Sequence, residues 1–215
     1  FGSTREIAQQ WAETYEFPLA PRNRDDLAQV AQYLRYRQTP MYTLEQLRGY
    51  LTRFMRKKFG EQLPLELRDK PMKPGVIDEL VSHVGALQRA SNPNDIHRLL
   101  ARLPAKIYVN ANRDNLLRDA LREQKRLPQV QLCTWRTSNN KPLPFGPALP
   151  PGYEPSIEQP LIFHVFGNFE FPASLVLTGD DYFDFLVAVT RNEALATMSV
   201  TSKVSSALAT SGLLL

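Results

Sequence analysis

The stretch PLIFHVFGNFEFPASLVLTGDDYFDFLVAVT, residues 160–190, decides the fold and begins with a strand. Its apolar run at 161–165 contains β-branched and aromatic residues, which favour a buried strand. Gly167 and Asn168 are turn-forming residues, so the strand should end just before them. His164 is therefore expected at the end of a buried strand, where open α/β sheets place their chemistry.

The second half of this stretch predicts a further strand followed by a helix. The apolar run at 174–177 has the composition of a strand. Thr178 then supplies a hydroxyl N-cap, and the two aspartates that follow suit the positive end of a helix dipole. Phe183, Leu186 and Val187 follow at the spacing that is typical of a helix.

Two more strands precede this stretch and point to a parallel sheet. The runs at 105–109 and 130–135 each predict a strand, and the segment between them predicts a helix. Four apolar residues give that helix its inward face: Leu116, Leu117, Ala120 and Leu121. A βαβ unit of this kind has parallel strands. From 42 to 103 the pattern is helical, so the fold class is α/β, a Rossmann-like parallel sheet with a helical insertion.

The overall composition fits a single domain in a reducing compartment. The chain has 215 residues, of which 43% are hydrophobic, and this is enough for a real core. Its single cysteine, Cys133, cannot form an internal disulfide, so a reducing and cytoplasmic setting is the default. No apolar run in the sequence is long enough to span a bilayer.

Two motifs give the chain a resemblance to a known family. A strand ending near His and Gly, an SLVLT-type strand and a DDY-type helix start look like the SIR2-like (sirtuin-type) domains of bacterial defence and signalling proteins. The segment IYVNANRDNLL, residues 107–117, is similar to the family's strand followed by T-x-N-x-D and a Leu-Leu helix. The order and spacing of the two motifs also fit this family.

The resemblance implies an NAD site at the ends of the strands. Asn112 would contact the nicotinamide ribose of NAD and help to position the attacking group, and Asp114 would support the site. Asn110 stands where the family commonly has Thr, and it would bind NAD together with Gly167. Without the resemblance, spacing favours the plainer interpretation that Asn112 and Asp114 form a turn and an N-cap.

The sequence departs from the family at one position that matters for catalysis. The family's common form is H-x-H-G, whose second histidine is the catalytic base, whereas this chain has His164-Val165-Phe166-Gly167. Phenylalanine cannot accept a proton. Either His164, which should share a strand face with Phe166, takes over as the base, or the domain binds ligand without catalysis. A structural role for His164 is equally open.

The two ends of the chain bear on the same site. No G-x-G-x-x-G turn is present to receive the pyrophosphate of NAD. In the family a glycine-rich loop precedes the first helix, which implies that Gly2 and Ser3 lie beside the NAD site. A glycine-containing strand end and an acidic helix start would follow Leu215. We therefore expect residues 1–215 to be a single SIR2-like domain that is incomplete at both ends.

These observations lead to one expected function and one alternative. The resemblance implies an NAD hydrolase that cleaves the nicotinamide–ribose bond of its substrate, and family analogy suggests NAD depletion in bacterial antiviral defence, with oligomerisation or other domains as the switch. A classical sirtuin carries a zinc module with four cysteines, so one cysteine argues against deacylation, and the scattered histidines predict no metal site. The alternative is a catalytically inactive module that binds nucleotide or serves as a scaffold.

A basic cluster gives weak support to a nucleic-acid partner. The net charge of +4 is one that many soluble domains share. Arg53, Arg56, Lys57 and Lys58 lie near the end of a predicted helix, where cations are favourable for structural reasons alone. A nucleic-acid patch is the second interpretation of this cluster.

Overall fold

A computed structural model gives the structure of the chain in two units. It describes residues 3–138, 141–143 and 145–190, together with 204, 206 and 207. The first unit comprises Phe1–Val84 and Val176–Phe183, and the second comprises Gly85–Leu175 and Asp184–Leu215. None of the helices in the described ranges combines the length and the apolar character that crossing a membrane requires.

Helices dominate the described residues. The α-helices are α1 Thr4–Thr14, α2 Leu27–Arg37, α3 Pro40–Phe59, α4 Leu65–Arg68, α5 Val76–Ser91, α6 Ile96–Arg102, α7 Leu116–Glu123 and α8 Gly179–Thr190. The strands are β1 Ile107–Asn110, β2 Gln129–Leu132, β3 Thr137–Ser138, β4 Lys141–Pro142 and β5 Leu161–His164. Short 3-10 turns occupy Pro21–Asp25, Gly60–Gln62 and Pro172–Ser174.

The first unit is helical, and its first helix begins with a capping box. The Ser3 hydroxyl oxygen accepts a hydrogen bond from the backbone N–H of Arg5 at 3.2 Å, and the Glu6 carboxylate accepts one from the N–H of Ser3 at 3.3 Å. α1 packs against α2, and α2 packs against α3. The segment from 42 to 103 is helical, as predicted, and every described strand follows it. That these helices are an insertion within a larger sheet stays a prediction.

The second unit contains the parallel sheet that the sequence predicts. β5 lies between β1 and β2, and both pairings are parallel, so the α/β class is confirmed. His164 is level with Asn110 on one side and with Leu132 on the other. A buried cluster from α6, α7 and the sheet forms the core: Ala101, Tyr108, Leu117, Ala120, Leu121 and Ile162. The inward face predicted for α7 is therefore confirmed.

The strand predicted at 174–177 is wrong. Pro172–Ser174 forms a 3-10 turn, and the buried residues that follow it are extended without joining a strand ladder. Hydrogen bonds from outside this segment hold Ser174 instead. The Trp135 indole N–H donates to the Ser174 carbonyl oxygen at 2.9 Å, and the Ser174 hydroxyl oxygen accepts from the backbone N–H of Asn168 at 3.0 Å. Tertiary hydrogen bonds thus override a strand-like composition.

The helix predicted after Thr178 and its N-cap are both confirmed. The Thr178 hydroxyl oxygen accepts from the N–H of Asp181 at 3.2 Å. The Asp181 carboxylate, buried, accepts from the N–H of Thr178 at 3.0 Å and from the Arg35 guanidinium at 2.9 Å. This buried carboxylate shares its helix face with Phe185 and Ala188, which are buried too. Phe183 and Leu186, on other faces, are exposed.

One buried cation holds several turns of the second unit together. The Arg126 guanidinium is 8% exposed and donates to five acceptors: the carbonyl oxygens of Ala101, Leu103, Ala105 and Ile157 and the Tyr108 hydroxyl. Two of these carbonyls lie at the carboxyl end of α6, where the helix dipole favours a positive charge. Arg126 therefore joins the end of α6 to β1 and to the segment before β5.

We predict that Arg126→Met lowers the free energy of unfolding by about 3 kcal/mol, because it leaves buried carbonyls without donors. Urea unfolding measures the change. Arg122→Met is the matched control, since Arg122 is exposed on α7, and it should change the stability by less than about 0.5 kcal/mol. Equal effects of the two substitutions would contradict the structural role of Arg126.

Candidate functional site

The candidate site lies where β1 and β5 end side by side. Because both strands run in the same direction, the residues that follow Asn110 and His164 emerge at one edge of the sheet. Ligand crevices of parallel α/β sheets lie at this carboxyl edge. The loop after β1 contains Asn112 and Asp114, and the loop after β5 contains Phe166 and Gly167. The sheet therefore brings these predicted site residues to a common edge.

His164 is fully buried, and both of its ring nitrogens have partners. Nδ1 lies 2.9 Å from the carbonyl oxygen of Asn112, so it carries the proton and donates it. Nε2 lies 3.4 Å from the side-chain amide nitrogen of Asn168, from which it accepts. Burial lowers the pKa of His164 to about 4, against a smaller opposing effect of the bond to Asn112. The imidazole is therefore neutral at neutral pH.

Asn168 is the hub of a hydrogen-bond network behind this histidine. Its amide N–H donates to the side-chain oxygen of Asn115 at 2.9 Å, and its own side-chain oxygen accepts from the N–H of Glu170 at 2.8 Å. The Glu170 carboxylate accepts in turn from the Asn115 amide at 3.2 Å and from the Arg118 guanidinium at 2.7 Å. These bonds tie the loop after β5 to the start of α7.

The three polar residues predicted after β1 have different environments. Asn110 is buried, and its side-chain oxygen accepts from the N–H of Asn112 at 2.9 Å, which forms an Asx turn. Asp114 is partly buried and accepts from the N–H of Leu116 at 3.1 Å, at the start of α7; its burial raises its pKa. The side chain of Asn112 is exposed. Asn112 is thus the residue of this loop that offers a side chain to a ligand.

Phe166 does not share a strand face with His164. β5 ends at His164 and the chain then bends, so the alternation of a strand does not continue to Phe166. The Phe166 ring packs against the ring of Phe185 with centroids 5.3 Å apart. The position at which the family commonly has its base therefore holds an aromatic contact in this chain.

Gly167 is required by the backbone. Its φ is +82°, a region that residues with a side chain rarely adopt. A Cβ at this position would lie 2.3 Å from the carbonyl oxygen of Ser174, which is too close for any contact between atoms that are not bonded. The glycine is therefore explained by close packing of the loop on itself, whatever it contributes to a ligand.

The remaining expectations about the site concern the amino terminus and metals. Gly2 lies outside the described residues. Ser3 is the N-cap of α1 in the first unit, so its hydroxyl already has a structural partner. The NAD contacts implied for both residues stay predictions. Across the described ranges, no group of three or more His, Cys, Asp or Glu side chains is arranged to hold a metal ion.

Sequence reasoning missed the network that surrounds His164. The sequence patterns identify Asn168 only as a turn residue, and they assign no role in the site to Asn115, Arg118 or Glu170. The one available signal was the repeated amide and carboxylate side chains next to both strand ends. Nothing local to the sequence shows that these side chains bond across more than fifty positions.

Comparison with protein-family models identifies the family to which the chain belongs. The family model of the SIR2-like domain matches residues 106–215, which are 110 of the 215 residues and contain the whole candidate site. The chain therefore belongs to the SIR2-like domain family, and the resemblance drawn from its two motifs is confirmed. Among curated proteins, none matches the chain.

Lowering the pH from 7 to 5 should destabilise the protein through His164. Its pKa is about 4 when folded and near 6.5 when unfolded, so the unfolded state binds the proton first. The stability that comes from the neutral His164 ring is fully present above pH 6.5. It falls as the pH decreases from 6.5 to 4, and the loss is about 2 kcal/mol at pH 5. Urea unfolding at pH 7 and pH 5 measures this loss.

The His164→Asn variant has no titrating ring at this position. Its loss of stability between pH 7 and pH 5 should therefore lack the contribution that His164 makes in the wild type. Asn94→Ala, a change at an exposed residue of the second unit that does not titrate, should keep the pH dependence of the wild type. An unchanged pH dependence in His164→Asn would show that His164 is not the titrating group.

Gly167→Ala should lower the free energy of unfolding by at least about 2 kcal/mol, because it adds both a clash and backbone strain. Gly152→Ala separates the two effects: Gly152 also has a positive φ, +72°, but a Cβ there meets nothing within 4 Å. The Gly152→Ala substitution should lower the free energy of unfolding by about 1 kcal/mol, because it adds only the backbone strain. Thermal unfolding compares the two variants, and equal costs would contradict the close approach to Ser174.

Proposed function

We propose that this SIR2-like domain binds NAD at the carboxyl ends of β1 and β5. We further propose that, in the intact protein, it hydrolyses the nicotinamide–ribose bond of NAD. Membership of the SIR2-like family supports an NAD-related function. The observation that carries the proposal is the setting of Asn112, an exposed amide side chain on a fixed backbone at the edge of the sheet.

The backbone of Asn112 is held from both sides. Its N–H donates to the Asn110 side chain at 2.9 Å, and its carbonyl oxygen accepts from His164 Nδ1 at 2.9 Å. Both partners are buried, which limits the access of bulk water to these bonds. The side chain of Asn112 is therefore carried on a rigid support, which suits a group that must orient a substrate.

The chemistry of NAD makes an amide useful at this place. Nicotinamide carries a positive charge in NAD and leaves as a neutral molecule, so its departure needs no proton. The ribose then develops the positive charge, and a hydrogen bond from the Asn112 side chain would hold the ribose or the attacking water in line. Water adds to the ribose carbon, and the products are nicotinamide, ADP-ribose and one proton. Departure of nicotinamide thus proceeds without the histidine that Phe166 replaces.

His164 would position Asn112 in this reaction. Its Nδ1 proton is used by the carbonyl oxygen of Asn112, and its Nε2 lone pair faces the Asn168 amide. A base must have a lone pair directed at the proton that it removes. The contacts of His164 therefore favour a positioning role over proton abstraction. Asp114, bonded to the start of α7, would support the loop in the same way.

A second candidate function rests on Phe166. Its ring packs on Phe185 at the position where the family's common motif has its base. If proton removal from water limits the reaction, this domain would bind NAD without cleaving it and would serve as a nucleotide-binding or scaffold module. Family analogy alone supports the further proposals: NAD depletion in bacterial antiviral defence, a cytoplasmic setting, oligomerisation and control by other domains.

Asn112→Ala should reduce nicotinamide release by the intact protein at least about a hundredfold, as expected when one oriented hydrogen bond is lost from a transition state. Release of nicotinamide from NAD over time is the measurement. Asn94→Ala is the matched control, because Asn94 is another exposed asparagine of the second unit and lies before α6. This control should keep the wild-type rate.

The remaining outcomes separate the two candidate functions. NAD binding without release by the wild-type protein would favour the inactive module. Neither binding nor release would contradict both. A rate that survives in His164→Asn, with the fold intact, would confirm that His164 is not the base, whereas complete loss would support a direct role.

A further inference from the structure

A second candidate site lies wholly within the first unit. A cavity of about 290 Å³ opens between α3 and the segment that leads into α5. Arg48 and Arg53 line it from α3, and Lys73 lines it from the opposite side. Glu45 is the one carboxylate among the lining residues. We call this cavity the basic cleft, and its ionisable side chains are three cations and one anion.

The three cations of the basic cleft have no ion-pair or hydrogen-bond partner among the described residues. Neither Arg48, Arg53 nor Lys73 forms an ion pair or a side-chain hydrogen bond within the described part of the chain. Nearby cations behave differently: Arg56 donates to two backbone carbonyls, and Lys70 forms an ion pair with Glu79. Like charges that converge on one cavity repel each other, and an anion bound between them relieves the repulsion.

The backbone of α3 shapes the cleft around these cations. Residues five apart on a helix point about 140° away from each other, so Arg48 and Arg53 flank the surface formed by Gly49 and Thr52. A Cβ on Gly49 would lie 3.2 Å from a terminal nitrogen of Arg53. The guanidinium of Arg53 therefore rests against the helix in the space that the glycine leaves open. This contact places the planar guanidinium of Arg53 along the surface of α3 that lines the cleft.

We propose that the basic cleft binds the phosphate groups of a small phosphorylated ligand. Guanidinium groups match phosphate oxygens with two parallel hydrogen bonds, and two arginines with one lysine can engage a diphosphate. The volume of the cavity suits a small ligand. The excess of two positive charges complements a multiply charged anion. This site is independent of the NAD site proposed at the sheet edge.

A nucleic-acid surface fits the same region less well. The sequence cluster of Arg53, Arg56, Lys57 and Lys58 does not act as one patch, because Arg56 bonds to backbone carbonyls. Lys58 lies over the rings of Phe54 and Phe59, 5.5 Å and 5.4 Å from their centroids. A strand of nucleic acid would need a continuous row of free cations. The structure offers a cleft instead.

Calorimetric titration of the full chain with magnesium-free pyrophosphate tests the proposal. We expect saturable binding that weakens at least tenfold in a double variant, Arg48→Gln with Arg53→Gln. Arg22→Gln is the matched control, because Arg22 is an exposed arginine elsewhere in the first unit, and it should leave the affinity unchanged.

Two further arms exclude other sources of binding. The double variant should keep saturable binding of NAD, which separates this cleft from the proposed NAD site, and adenosine without phosphate should not bind to the cleft. Absence of pyrophosphate binding, or an affinity that the double variant keeps, would overturn the proposal. An oligonucleotide that binds the chain while pyrophosphate does not would overturn it in favour of a nucleic-acid surface.

Discussion

The hydrogen bond from His164 Nδ1 to the carbonyl oxygen of Asn112 is the constraint on which the candidate site depends. It joins the end of the central strand to the loop after its neighbour. It also fixes the tautomer, so that Nε2 must accept from Asn168. A protonated ring would place two donors against each other at Nε2, because the Asn168 side-chain oxygen already accepts from Glu170. Burial keeps the ring neutral and the network intact.

The network beyond His164 explains why so few polar groups at this edge are open to a ligand. Asn168, Asn115 and Glu170 bond to one another, and Asn110 closes a turn. Gly167 allows the loop after β5 to fold tightly enough for these contacts. Among the asparagines described at this edge, the exposed one is Asn112. A rigid support with one free amide is an arrangement suited to orienting a substrate.

Local patterns in the sequence predicted the parts of the structure that local physics decides. The N-cap at Thr178, the inward face of α7 and the buried strand ending at His164 all follow from spacing and residue type. The apolar segment 174–177 failed as a strand because Trp135 and Asn168 bond to Ser174 from elsewhere in the chain. The face that α8 buries also depends on tertiary contacts, because Asp181 bonds to Thr178 and to Arg35.

The candidate site was predictable in position but not in chemistry. The sequence placed His164, Asn112 and Asp114 at strand ends, and the parallel sheet brings the ends of β1 and β5 together. It could not show that both ring nitrogens of His164 are engaged, since the bond to Asn112 crosses 52 positions. Nor could it show that Phe166 leaves the strand and packs on Phe185. These contacts depend on the folded arrangement of loops.

The most direct test is an NMR titration of the intact protein with NAD that follows the side-chain amide of Asn112, assigned by its loss in Asn112→Ala. We predict that these resonances shift saturably while the Nδ1 proton of His164 stays bonded to the backbone of Asn112. Saturable NAD binding that leaves the Asn112 amide unshifted would contradict a site at this edge of the sheet.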